Sequence, residues 1–167
     1  MRIGLVSDTH LSGAAAKLPD ELVRGLQGVE LILHAGDWTH ERAVLLLERI
    51  APVDGVAGNN DGPELARRFG RKRLLELGGC RIGIVHGDIG WGRWTEQKAL
   101  SSFEEERPDL ILFGHSHTPY RKQHGPSLLF NPGSPLQKRR QPRYSFGLLD
   151  IEGGRLRAEH VYYDDRS

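Results

Sequence analysis

Asp8-Thr9-His10 near the start of this chain and His115-Ser116-His117 two-thirds of the way along put metal-binding side chain types two residues apart. Gly36-Asp37, Gly58-Asn59-Asn60-Asp61, His86-Gly87-Asp88 and Asn131-Pro132-Gly133-Ser134 complete a series of polar clusters. An Asp-x-His pair alone is a weak signal, because it also arises as an ordinary turn. A His-x-His pair is stronger, since paired buried imidazoles have ring nitrogens that need partners. Asp8, Asp37, Asn59, His10, His86, His115 and His117 together offer two carboxylates, one amide carbonyl and four imidazoles. That mixture suits Mn, Fe, Zn, Ni or Co rather than a calcium site built from oxygen alone. The two oxygens of Asp37 could bridge two ions. Two such ions, about 3.5–4 Å apart, clamp a phosphoryl group and create a nucleophile near neutral pH.

Each cluster closes a short apolar run: MRIGLVS, VELILHA, VDGVA, RIGIV, DLILF and SLLF. Several strands therefore end at a common edge, where an open α/β sheet binds its ligand. Strands are expected over 2–7, 30–35 and 53–57. Amphipathic helices are expected over 18–27 and 41–50, giving βαβαβ with parallel pairing. Residues 64–70 suit a short helix. RLLELGGCRIGIV suggests a hairpin turning at Gly78-Gly79, residues 95–106 a helix closed before Pro108, and 109–113 and 127–130 two strands. The C-terminal residues suggest a second hairpin around Glu152-Gly153-Gly154. Two sheets packed face to face with helices outside fit this order, and no linker divides residues 1–167.

The 167 residues carry a formal net charge of +1, which points to neither nucleic acid nor a membrane surface. No nucleic-acid-binding motif is present. One cysteine, Cys80, cannot form an internal disulfide. No secretory signal or membrane-length apolar run is visible, so a cytoplasmic location is expected. The final antiparallel strands could pair between subunits as a homo-oligomer.

The order Asp-x-His, Gly-Asp, Gly-Asn-x-Asp, His-Gly, Gly-His-x-His resembles the calcineurin-like metallophosphoesterases. The short chain and the Asn-Pro-Gly-Ser loop resemble their small phosphodiesterase branch, which includes the retromer subunit of the same fold. The resemblance covers nearly the whole chain. It implies a four-layer αββα sandwich of two mixed sheets flanked by helices. It implies one metal on Asp8, His10, Asp37 and His117, and a second on Asp37, Asn59, His86 and His115, with Asp37 as the bridge. It also implies in-line attack on phosphorus by a metal-bridging water or hydroxide. Manganese is the expected metal, and a small phosphodiester the expected substrate.

In the wider superfamily a His often follows the metal-binding Asn and is thought to protonate the leaving group. Here Asn60 stands there, which fits the small branch, where that His also tends to be missing. An amide has no useful proton to give near pH 7, so aryl esters should outrun alkyl esters. Asn60 is expected to hydrogen-bond a phosphoryl or leaving oxygen. The alternatives are a protein-interaction scaffold with little catalysis, or a phosphomonoesterase.

Other residues have plainer expected roles. His34 is assigned to the strand as a structural or supporting residue, His40 to the surface or a first helical turn, and Asp88 to a turn. Trp38, Trp91 and Trp94 could wall a pocket or pack against loops with equal ease. Leu45, Leu46 and Leu47 are expected in the helix core. Lys138-Arg139-Arg140 with Arg143 follows the Asn-Pro-Gly-Ser loop, where it could attract an anion to the mouth of a site.

Overall fold

The computed structural model describes residues 1–167. Sheet A contains β1 (Arg2–Val6), β2 (Leu31–His34), β3 (Val53–Gly55), β9 (Tyr144–Glu152) and β10 (Arg155–Tyr163), in the order β10-β9-β1-β2-β3. Sheet B contains β4 (Lys72–Leu77), β5 (Cys80–Val85), β6 (Leu110–Leu112), β7 (Tyr120–His124) and β8 (Ser127–Asn131), in the order β4-β5-β6-β8-β7. Both sheets are mixed. Strand β1 runs parallel to β2 and antiparallel to β9, while β5, β6 and β8 run parallel between antiparallel β4 and β7.

The apolar residues divide into three layers of contact. Ile3, Leu5 and Leu33 of sheet A meet Ile82, Ile84, Leu112 and Phe130 of sheet B in the central core. On the outer face of sheet A, Val6 and Ile32 pack on α1 (Asp20–Gly25), α2 (Glu41–Glu48) and α3 (Pro63–Phe69), through Leu22, Val44, Leu47 and Leu65. On the outer face of sheet B, Val85, Ile111 and Leu129 pack on Ala99 of α4 (Thr95–Ser101) and on Phe103 after it. The result is the expected αββα sandwich, each sheet burying both faces.

Helices α1, α2 and α4 are shorter than their apolar periodicity suggests, with α4 ending at Ser101 before turns over 102–106. Leu47 is buried as expected, but Leu45 faces solvent. Strand β7 is absent from the sequence expectation. Its residues, YRKQH, are mostly exposed because it is an edge strand, and charges on an edge discourage pairing with other chains. No helix is long and apolar enough to cross a membrane.

Candidate metal centre

The carboxyl ends of β1, β2, β5 and β6 meet at one edge of the sandwich and bring Asp8, His10, Asp37, His86 and His117 together. Two trios have all ligand atoms within 4.8 Å of one another: Asp8, His10 and His117, and Asp8, Asp37 and His86. Asp8 belongs to both. Asp37 Oδ2 lies 3.3 Å from both His10 Nε2 and His86 Nε2, so it also stands between the trios. His115 and Asn59 sit alongside, His115 Nδ1 lying 3.1 Å from Asn59 Oδ1 and its ring 5.1 Å from that of His86.

Each principal side chain is aimed by a hydrogen bond on its other side. Asp8 Oδ2 accepts from Ser7 Oγ at 2.7 Å and from the His115 backbone N–H at 2.9 Å, which directs Oδ1 into the cluster. His86 Nδ1 pairs with the Ala35 carbonyl at 2.8 Å, and His117 Nδ1 with the Gln137 carbonyl at 2.5 Å. A carbonyl only accepts, so both Nδ1 atoms carry the proton and each Nε2 faces inward. Asp8 Oδ1 and His86 Nε2 are buried without a hydrogen-bond partner. Two unpaired buried atoms of ligand type, facing each other across 3.9 Å, fit a cation.

The local electrostatics point the same way. Burial opposes charge on Asp8, but contacts with His10 and His117 and the nearby His86 hold its carboxyl well below the usual range. Burial likewise opposes charge on Asp37, and His10 and His86 pull that carboxyl down further. Burial disfavours the His10 cation, yet Asp37 and Asp8 push its pKa up to about 9. His86 is raised against its own burial by the same two carboxylates. Burial and the nearby His86 lower His115. The pair of carboxylates thus favours positive charge at the convergence of the strands.

The backbone around the cluster is costly. Asp8, His10, Asp37, His115 and His117 all have positive φ, between 41° and 71°. Residues with a Cβ adopt this region sparingly, and such strain persists where the surroundings enforce it. Glycines let the loops approach. Gly114 does not have positive φ. A Cβ there would lie 1.9 Å from Ser7 Oγ and 2.4 Å from Asp8 Oδ2, so the reason for glycine is close approach.

Three residues support the candidate ligands through hydrogen bonds to the backbone around them. Asp61 Oδ2 accepts from the N–H groups of Asp37 and Gly58, both at 2.8 Å, and its Oδ1 from the Thr39 N–H at 2.7 Å. It ties the β2 and β3 loops together beneath Asp37. Buried Asn131 donates to the Gly114 carbonyl at 3.0 Å and to Ser116 Oγ at 3.1 Å, bracing the His-x-His turn. Ser134 Oγ donates to the Asp8 carbonyl at 2.7 Å. The spacings Gly-Asn-x-Asp and Asn-Pro-Gly-Ser are the only traces of these roles in the sequence.

Asn60 also faces the centre. Its side-chain amide donates to Asp37 Oδ2 at 2.8 Å and its backbone N–H to Asp37 Oδ1 at 2.9 Å. The second amide hydrogen remains available to a ligand. Of the residues with plainer expectations, His34 is buried, stacked on Trp38, with Nδ1 accepting from the Gly36 N–H and Nε2 3.2 Å from Thr9 Oγ1. Trp38 is wholly buried between His34 and Phe69 and walls no pocket. His40 caps α2, accepting from the Arg42 N–H. Asp88 pairs through both oxygens with Arg71. Trp91 and Trp94 are 81% and 54% exposed on the loop after His86, which Ser101 and Gln97 of α4 hold by hydrogen bonds.

A family model described as a calcineurin-like phosphoesterase superfamily domain matches residues 1–154. A "Probable metallophosphoesterase" of Methanothermobacter thermautotrophicus is 37% identical over 165 residues, covering 96% of this chain and 92% of that protein. The crystal structure of wild-type Vps29 complexed with zinc from Entamoeba histolytica superimposes with a TM-score of 0.74 at 22% identity, covering 97% of this chain and 99% of that one. A structure described as a novel archaeal phosphodiesterase superimposes with a TM-score of 0.69 at 22% identity, covering 96% of this chain and 100% of that one. At these identities the two structures share the fold with this chain.

Proposed function

We propose that this chain, which belongs to the calcineurin-like phosphoesterase superfamily, is a two-metal phosphodiesterase acting on small phosphodiesters. Family membership makes it a metal-dependent phosphoesterase. The observation that carries the finer proposal is the pair of overlapping ligand trios, with Asp8 common to both and Asp37 Oδ2 equidistant from His10 and His86. Asp8, His10, Asp37 and His117 would hold one ion. Asp37, Asn59, His86 and His115 would hold the other. Mn is the preferred occupant, with Fe, Ni, Zn and Co as competitors for the same donors. When bound, such ions supply Lewis acidity toward phosphoryl oxygens and an activated water.

The protein's own groups shape what can react. Asn60 fixes the Asp37 carboxylate and Asp61 the Asp37 backbone N–H, while Ser7 and the His115 N–H fix the carboxylate of Asp8. The free amide hydrogen of Asn60 can meet a phosphoryl or leaving oxygen. Asn60 has no proton to surrender, so a departing alkoxide goes without help from that position and an aryloxide needs none. The diester preference has support from the archaeal phosphodiesterase of the same fold. A cytoplasmic setting suits a chain with a single, buried, free cysteine.

The test is hydrolysis of bis(p-nitrophenyl) phosphate beside p-nitrophenyl phosphate, using chelator-stripped protein refilled with Mn. Metal-dependent turnover that is faster on the diester is expected. Faster monoester turnover would instead favour a phosphomonoesterase. Full metal uptake with no turnover on either ester would favour an interaction scaffold, the alternative that the Vps29 likeness in fold keeps open.

A further inference from the structure

We propose that Arg139 contacts the substrate's phosphoryl group, its guanidinium meeting a non-bridging oxygen beside His115. This deepens the phosphoesterase reading and rests on it. The segment between β8 and β9 touches three of the candidate ligands. Ser134 Oγ reaches the Asp8 carbonyl at 2.7 Å, Gln137 accepts from His117 Nδ1 at 2.5 Å, and Arg139 Nη1 donates to the His115 carbonyl at 3.4 Å. Arg139 therefore stands at the rim of the cluster, beside the turn that carries half-buried His115.

What separates this arginine from others without a carboxylate partner, such as Arg107, is its hydrogen bond to the His115 carbonyl. Arg68, Arg71, Arg73 and Arg157 each have a carboxylate partner at 2.5–2.9 Å. Arg139 has none, and its one hydrogen bond, to a carbonyl, leaves most of its five N–H donors for another acceptor. Its backbone is also held at φ 52°, a region that disfavours residues with a Cβ. The fork of a guanidinium matches two oxygens on one phosphorus, and its charge does not depend on pH in the working range. Arg140, the next residue, is also exposed and makes no hydrogen bond to the cluster, so it serves as an internal control.

The experiment compares wild type, R139N, R139K and R140Q after Mn loading. Asparagine tolerates the left-handed backbone, so R139N removes the charge without adding strain. Inorganic phosphate binding is measured by calorimetry, and bis(p-nitrophenyl) phosphate kinetics alongside. Losing a charge-assisted hydrogen bond predicts phosphate binding weaker by about 10- to 100-fold in R139N. Manganese stoichiometry should be unchanged, R139K should recover part of the loss, and R140Q should match wild type. Undiminished phosphate binding in R139N would overturn the assignment. So would an equal loss in R140Q, which would show a general charge effect, or a loss of Mn in R139N, which would show a structural role. If the wild type itself hydrolyses neither ester and binds no phosphate, the phosphoesterase reading fails along with the assignment. Normal wild-type turnover shared by R139N overturns the Arg139 assignment alone.

Discussion

The two ends of the parallel strands treat charge in opposite ways. At the amino ends of β1 and β2, Arg2 pairs with Asp150, the N-terminal ammonium with Glu30, and Arg157 with Glu159, all on the surface. At the carboxyl ends, Asp8, Asp37, His86 and His117 are buried, two of their polar atoms lack partners, and the backbone beneath most of them is strained. Exposed pairs contribute about 0–1 kcal/mol each. Burying unpaired polar atoms costs stability unless something compensates. One edge is therefore arranged for solubility, and the other gives up stability for a ligand of positive charge.

Substitutions at the two edges should separate them sharply. Asp37→Ala should lower Mn affinity and diester turnover by at least about a hundredfold, more than the loss of an outlying supporting group. Asp150→Ala at the far edge should leave both intact and shift stability by less than about 1 kcal/mol. Metal stoichiometry, turnover and urea denaturation check the pair, and equal effects would abolish the distinction. A smaller effect, about 10- to 100-fold in metal affinity, is expected of Asp61→Ala, which touches no ion but releases the N–H groups of Asp37, Thr39 and Gly58. Calorimetric Mn titration reads it, and wild-type affinity would show that the Asp37 turn holds itself.

Glycines sharpen the contrast at the level of packing. Gly114→Ala should destabilise by about 1–3 kcal/mol, because its methyl group meets Ser7 and Asp8. Gly153→Ala in the distant hairpin meets nothing within 4 Å and should cost only the left-handed penalty at φ 59°, about 1 kcal/mol. Denaturation midpoints at matched slope decide, and equal losses would mean that the loops can part around Gly114. Acid dependence gives the smallest effect per step. Burial pushes His34 down to about 3 from an ordinary value of 6.5. The unfolded chain therefore binds a proton that the folded chain refuses between those values. The contribution is complete above pH 6.5 and fades as pH falls, by up to about 1.4 kcal/mol per unit. His34→Phe should flatten that part of the stability profile, and an unchanged slope would remove His34 from the account.

How much of this was legible beforehand depends on the kind of interaction. Strand-end ligands announce themselves by residue type, and strands by their apolar runs, so the αββα order and the cluster at one edge could be anticipated. Edge strand β7 could not, since its exposure selects charged residues that resemble a loop. Asp61 and Asn131 act by side-chain bonds to distant backbone, which leave no periodic trace. The reason for Gly114 is not legible in the sequence, because a close approach and a left-handed turn select the same residue. Trp38 was ambiguous because an aromatic ring serves a core and a pocket wall equally well, and only the stack with His34 and Phe69 decides.

The position of β1 in sheet A has a consequence for biosynthesis. It pairs with β2 on one side and, on the other, with β9, Gly4 lying opposite Leu148. While the chain is still emerging from the ribosome, one flank of β1 stays unpaired until residues beyond 144 appear. A bare apolar strand is a template for misplaced pairing, so the interval belongs to whatever guards nascent chains. Ser134, which braces Asp8, and Gln137, which braces His117, also arrive late. A chain truncated before β9 would carry all seven candidate ligands without the strand that closes the open flank of β1.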